Sequence, residues 1–161
     1  MRIIGIDPGF AIVGYGVIEY KGGKFKTIDY GAIKTAADTD FNRRLSEIHK
    51  DLCTLLDEYK PEIMAIEKIF FTTNQKTAID VAQARGVIAL AAITRDIKIA
   101  EFTPLQVKQA VTGYGKAVKK QIQEMTMRLL SLEAIPKPDD AADALAVAIC
   151  AAHTNISLLS R

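Results

Sequence analysis

An α/β fold, one mixed β-sheet with helices packed against it, is predicted by two features of the chain. Three β-prone runs joined by tight turns come first, and strand and helix patterns then alternate to the end. The opening hairpins supply antiparallel pairing, the later strand–helix–strand order supplies parallel pairing, and the first strand is expected at the centre.

The first strand is read in Met1 to Gly9, where an apolar run ends on Asp7 and Pro8-Gly9 makes the turn. Ile12 to Tyr20 and Phe25 to Ile33 are the next two strands, and Gly22-Gly23 between them is a hairpin signal. A polar loop, Ala36 to Asp40, ends in a helix cap. Phe41, Leu45, Ile48, Leu52, Leu55, Leu56 and Tyr59 then form one helical stripe closed by Pro61. Ile63 to Glu67 is a short buried strand. Thr73 or Asn74 can cap a long helix from Gln75 to about Arg95, and Ile97 to Phe102 is the last strand. Thr103-Pro104 starts a helix that breaks near Gly113-Tyr114-Gly115. Val118, Ile122, Met125, Leu129 and Leu132 mark another amphipathic helix. Asp139 or Asp140 is expected to cap a final Ala-rich helix reaching about Ala152. Residues 1–154 read as one domain, with 155–161 a flexible tail.

Composition narrows the function classes. The chain has 161 residues, 49% of them hydrophobic and 25% charged, which suits a folded globular domain. A net charge of +2 leaves any anion-binding role to local clusters of Lys and Arg. Cys53 and Cys150 lack metal-type spacing and read as reduced, packed thiols. The longest apolar runs, Gly86 to Ile93 and Ala144 to Ala152, are too short to cross a bilayer. Asp7 interrupts the opening run too early for a secretory leader, so a cytoplasmic location without membrane contact is expected.

Carboxylates recur at element ends. Asp7 ends the first strand and Glu67 the fourth, and sites in open α/β sheets form at the carboxyl ends of parallel strands. Asp140 and Asp143, three residues apart, share one face of the last helix. Each alone also fits a bland role, a turn aspartate or a helix-end charge. Together, without His or Cys, they make a hard oxygen site suited to Mg²⁺ or Mn²⁺ rather than Zn²⁺. Two such ions can drive phosphodiester hydrolysis.

Gly5-Ile6-Asp7-Pro8-Gly9, Glu67-Lys68-Ile69-Phe70-Phe71, Gln83-Ala84-Arg85-Gly86 and Asp140-Ala141-Ala142-Asp143-Ala144 together closely resemble the RuvC family of Holliday junction resolvases, from Met1 to about His153. The resemblance implies a ribonuclease H-like fold with a five-stranded mixed sheet flanked by α-helices. It implies a homodimer that cuts two strands of a four-way DNA junction symmetrically in recombination and repair, working with the RuvA–RuvB branch-migration complex. It assigns Asp7, Glu67, Asp140 and Asp143 to catalysis and to metal binding, with two Mg²⁺ ions expected per site and Mn²⁺ as a substitute. It also assigns Phe70 to stacking on a base near the crossover, and Lys108 and Lys119 to basic positions beside the site. Lys116, Lys119 and Lys120 are expected to form a flexible basic loop on DNA phosphates. Arg85 is placed near DNA or in a structural role. Lys68 stands where the family usually has glutamine, and Asp139 precedes the acidic pair.

The family's rivals are a ribonuclease H-like RNA-processing nuclease, an actin-like ATPase or sugar kinase, and a junction-binding module without catalysis. The second needs two fold halves, more than 161 residues hold. The third is opposed by the intact acidic set. The helix from Gln75 to Arg95 is apolar almost all round over Gly86–Ile93, with one side carrying Ala78, Val81, Ala82, Ile88, Ala89 and Ala92 and another Ile79, Gly86, Val87, Leu90 and Ile93. Its second apolar side is expected to meet a two-fold partner.

Overall fold

The structure is a computed structural model that describes residues 1–69 and 75–154. The expected tail at 155–161, and the Thr73 or Asn74 cap, lie outside the described residues. Five strands, β1 (Arg2–Asp7), β2 (Ile12–Lys21), β3 (Lys24–Lys34), β4 (Ile63–Glu67) and β5 (Lys98–Phe102), form one sheet in the order β3-β2-β1-β4-β5. β1 is central as expected, antiparallel to β2 and parallel to β4. The Gly22-Gly23 turn needs φ of +57° and +78°, values that glycine adopts without a Cβ penalty.

Two layers of helices cover the sheet. On one face lie α1 (Phe41–Tyr59) and α2 (Gln75–Ile93). The carboxylate of Asp40 caps α1 by accepting from the Asn42 and Arg43 amides at 3.0 and 3.2 Å. α1 buries Ile48, Leu52 and Leu56. On the other face lie α3 (Pro104–Thr112), α4 (Lys119–Leu129) and α5 (Asp139–His153). Thr103 and Gln106 close a reciprocal cap at the start of α3, and Gly113 ends it at φ +71°. Cys53 and Cys150 are both free thiols, the second buried.

One expectation about α5 is corrected. Neither Asp139 nor Asp140 is its cap: Pro138 holds that position, and the two aspartates fill the first helical turn. Their carboxylates are therefore released from capping and project from the helix start. A second correction concerns α2. Ala84, Ile88, Ala91 and Ala92 are buried on the sheet, whereas Ala82 and Gly86 are exposed with Ile79, Leu90 and Ile93. The expected grouping of Ala82 with Ile88 and Ala92 thus splits, because the sheet accepts a narrower stripe than the apolar pattern offered.

Alternation along the strands decides which residues meet α5. Ile3 of β1 and Ile63 and Ala65 of β4 pack on the α5 side, and Ile4, Ile6, Met64 and Ile66 on the other. Asp7 and Glu67 continue the first set, so both face α5. α5 lies unusually close there. A Cβ on Gly5 would meet the Ala144 carbonyl oxygen at 2.0 Å, and one on Gly14 would meet the Asp140 carbonyl oxygen at 2.0 Å. Gly14→Ala is therefore expected to push the first turn of α5 off the sheet and to destabilise the chain by about 1–3 kcal/mol. Urea unfolding should show a lower midpoint with an unchanged slope. A wild-type midpoint would mean that α5 shifts freely.

Candidate active site

The register Ile6↔Ile66 places Asp7 next to Glu67 one step further along. α5 brings Asp143 and Asp140 over the same strand ends. All three of Glu67, Asp140 and Asp143 raise the charge cost at Asp7. Burial, then the charges of Asp143, Glu67 and Asp140, push the Asp7 carboxyl up to about 7, with Lys119 opposing. Burial and Asp143 raise Glu67, and Lys108 works against that rise. Asp143 is also raised, chiefly by burial, although Lys119 pulls it down. The four predicted acidic residues are thus one electrostatic unit assembled from three elements.

An open cleft of about 210 Å³ lies beside them, lined by Glu67, Pro104, Val107, Lys108, Lys119, Ile122, Asp143 and Ala146. Lys108 and Lys119 both line it. Lys119 Nζ sits 3.1 Å from Asp143 Oδ2 and 3.6 Å from Asp139 Oδ2. Burial disfavours its ammonium, but the bond to Asp143 and the charges of Asp143, Asp139 and Asp7 outweigh this and raise its pKa. Asp139 is held by Lys137 Nζ at 2.8 Å, and that bond lowers its pKa. Asp139 is thus tied to Lys137 and Lys119, whereas Asp140 and Asp143 are the aspartates of α5 whose charges raise Asp7.

The donor set is all carboxylate oxygen, crowded and partly buried, which is the chemistry of a hard divalent cation. The four are neighbours rather than a closed cage: among the described residues, no three Asp, Glu, His or Cys side chains are drawn round one point as metal ligands. The residues fit such a cation, which would relieve their mutual repulsion.

Other expectations are modified. Lys119 and Lys120 belong to the first turn of α4, not to a flexible loop, and Lys120 lies 4.0 Å from Glu124 one turn on. Lys116 is exposed between α3 and α4. Arg85 forms an ion pair with Glu101 of β5, which ties α2 to the sheet. Phe70 lies outside the described residues. Pro104, Val107 and Ile122 as cleft walls, and Lys137 as the partner of Asp139, were not anticipated. The spacing of Pro104, Val107 and Lys108 on one helical face was the available signal for the walls.

The charge cluster makes a signed prediction about metal-free protein. Folding raises the Asp7 pKa from 3.8 to about 7, so the folded chain binds that proton more tightly than the unfolded one. Its contribution favours folding below the ordinary carboxylate range and is lost as pH rises to about 7. Asp7→Asn should therefore melt several degrees above wild type at pH 8, given roughly 2–4 °C per kcal/mol for a chain of this size. The gap should narrow towards pH 5. A variant that melts at or below wild type at pH 8 would contradict the charge balance.

Comparison with known proteins places this geometry. The family model "Crossover junction endodeoxyribonuclease RuvC" matches residues 3–151. A RuvC from Alkaliphilus metalliredigens is 58% identical over 154 residues, covering 96% of this chain and 94% of that protein. Thermus thermophilus RuvC, solved in complex with Holliday junction substrate, superposes with a TM-score of 0.89 at 34% identity, over 93% of this chain and 92% of that one. The yeast mitochondrial Holliday junction resolvase Ydc2 shares the fold at a TM-score of 0.70 and 13% identity, over 93% of this chain and 77% of that one. With a crowded acidic site at the carboxyl ends of β1 and β4, and with that match over almost its whole length, the chain belongs to the crossover junction endodeoxyribonuclease RuvC family.

Proposed function

We propose that this chain resolves four-way (Holliday) DNA junctions by hydrolysing one phosphodiester in each of two symmetric strands, leaving 5′-phosphate and 3′-hydroxyl ends. The observation that carries the reading is the convergence of Asp7, Glu67, Asp140 and Asp143 on the α5 side of the sheet. Residues 1–154 are taken as the nuclease unit.

Asp7, Glu67, Asp140 and Asp143 would hold divalent ions, with Mg²⁺ the proposed cofactor, Mn²⁺ a substitute, and two ions per site. Such ions supply the charge that lowers the pKa of water and offsets that of the phosphate. The chain's own part is positioning. β1 and β4 fix two carboxylates on a rigid sheet, and α5 fixes the other pair. Lys108 and Lys119 place positive charge at the cleft wall where a phosphate would enter. Lys119, 3.1 Å from Asp143 Oδ2, would stand beside a phosphate bound at these carboxylates. Phe70, following β4, is proposed to stack on a base near the crossover, and Lys116 and Lys120 to contact phosphates. The ion pair with Glu101 favours a structural role for Arg85 over a DNA contact.

A homodimer supplies the second site. Ile79, Leu90 and Ile93 of α2 are 62%, 54% and 60% exposed, and with Ala82 and Gly86 they form an apolar seam at three- and four-residue steps. A Cβ on Gly86 would meet nothing within 4 Å, so the seam offers close approach to a second helix. Among the described residues no helix is long and apolar enough to cross a membrane. The proposed location is the cytoplasm, with the RuvA–RuvB complex as the proposed partner.

Glu67→Gln tests the site and the pairing together. The all-Gln dimer should bind a synthetic four-way junction at near wild-type affinity and cut almost nothing. Mixed dimers should nick one strand and spare its symmetric partner, while Asp139→Asn keeps most activity. Full cutting by the all-Gln protein would remove Glu67 from catalysis, and paired cuts by a stable monomer would remove the dimer.

A further inference from the structure

The turn that follows Asp7 carries an unusual assembly on the α1 side of the sheet. Phe10 stacks on Phe41 with ring centroids 4.7 Å apart and 29° between planes. The Arg44 guanidinium lies over the Phe10 ring, 4.0 Å from its centroid. Arg44 Nε donates to Thr35 Oγ1 at 2.9 Å, and that hydroxyl donates to the Phe10 carbonyl at 2.9 Å. The Thr35 amide donates to the Ala11 carbonyl at 3.0 Å, closing the turn. Arg44 is thus fixed in plane and in direction by an aromatic face on one side and a buried hydroxyl on its edge.

What remains of its fork is not used. Among the described residues, Nη1 and Nη2 have no hydrogen-bond or carboxylate partner, and neither is a buried atom. Arg43 beside it and Lys34 at the end of β3 are exposed and make no ion pair among the described residues. The nearby acids in the chain are Asp38, Asp40 and Glu47; Asp40 Oδ1 is taken up by two α1 amides, and Glu47, one turn on from Arg43 and Arg44, forms no ion pair with either among the described residues. All these residues sit at the end of the sheet that carries Asp7, because Lys34 pairs with Ile12 at the start of β2.

From this geometry, and resting on the junction-cutting reading above, we infer that Arg44 is a pre-set fork for a backbone phosphate of the DNA substrate, with Phe10 and Thr35 as its positioning residues. A guanidinium held flat with two free donor nitrogens matches two phosphate oxygens and loses little freedom on binding. Of the cations at this end of the sheet, Arg44 is stacked and anchored, whereas Arg43 and Lys34 are exposed. A DNA backbone crossing the carboxyl end of the sheet meets Lys108 and Lys119 on the α5 side and Arg44 on the α1 side.

Junction binding in EDTA across a salt series tests this, with melting curves on the same proteins. Arg44→Gln should bind about 10-fold more weakly at low salt, and its log K against log salt slope should shrink by about 0.9 per chain. Arg44→Lys keeps the charge and loses the fork, so it should keep the slope and still bind several-fold more weakly. If Arg44→Gln fails to fold, the Lys variant decides alone. A folded Gln variant with the wild-type slope, whatever its melting point, or a Lys variant with wild-type affinity, overturns the assignment. Wild-type protein that does not prefer a four-way junction to linear duplex would instead overturn the junction reading, leaving Arg44 a general DNA contact.

Discussion

The close approach of α5 to the central strands is the constraint on which the rest depends. Gly5 and Gly14 leave no room for a Cβ under Ala144 and Asp140, and α5 answers with alanine at 141, 142, 144 and 148. Any larger pair would lift the helix by the width of a methyl group. Asp140 on its first turn and Asp143 on the next would then leave the strand-end carboxylates. Packing of the smallest residues in the core thus sets the distances among the most highly charged ones.

That arrangement stores unfavourable electrostatics at the edge of a stable core. Burial and like charge raise Asp7, Glu67 and Asp143 together, while Lys119 opposes the rise at Asp7 and Asp143 and Lys108 opposes it at Glu67. Lys119 comes from α4, and the cleft wall from α3, so the helices beyond the sheet are part of the same charge balance. A site built this way favours incoming positive charge before any substrate arrives. The opposite face of the sheet plays a different part: α1 and α2 bury an aliphatic core and leave one apolar seam of α2 outward.

Much of this was legible in the residues. Turn and cap chemistry located elements through side chains that act locally: Gly22-Gly23, Asp40, Thr103 with Pro104, and Pro61. The position of Asp7 and Glu67 at the ends of two strands expected to run parallel indicated that these carboxylates would meet. What was hidden depends on partners distant in sequence. Pro138 takes the cap position that Asp139 or Asp140 was expected to fill, because both aspartates already have helical backbone. The two apolar sides of α2 look alike until the sheet chooses one. The pairing of Lys119 with Asp143, and of Arg44 with the Phe10 ring, joins elements whose spacing carries no periodic signal.

The central claim is that the four carboxylates form one metal-binding charge cluster. Its most direct test is proton release on divalent binding, measured by titrating Mn²⁺ into weakly buffered protein. With the Asp7 carboxyl near 7, wild type should release about half a proton per chain at pH 7 and less at pH 8.5. Asp7→Asn should lose that release and bind the ion more weakly. Binding without proton release at pH 7, or with unchanged affinity in Asp7→Asn, would contradict the account.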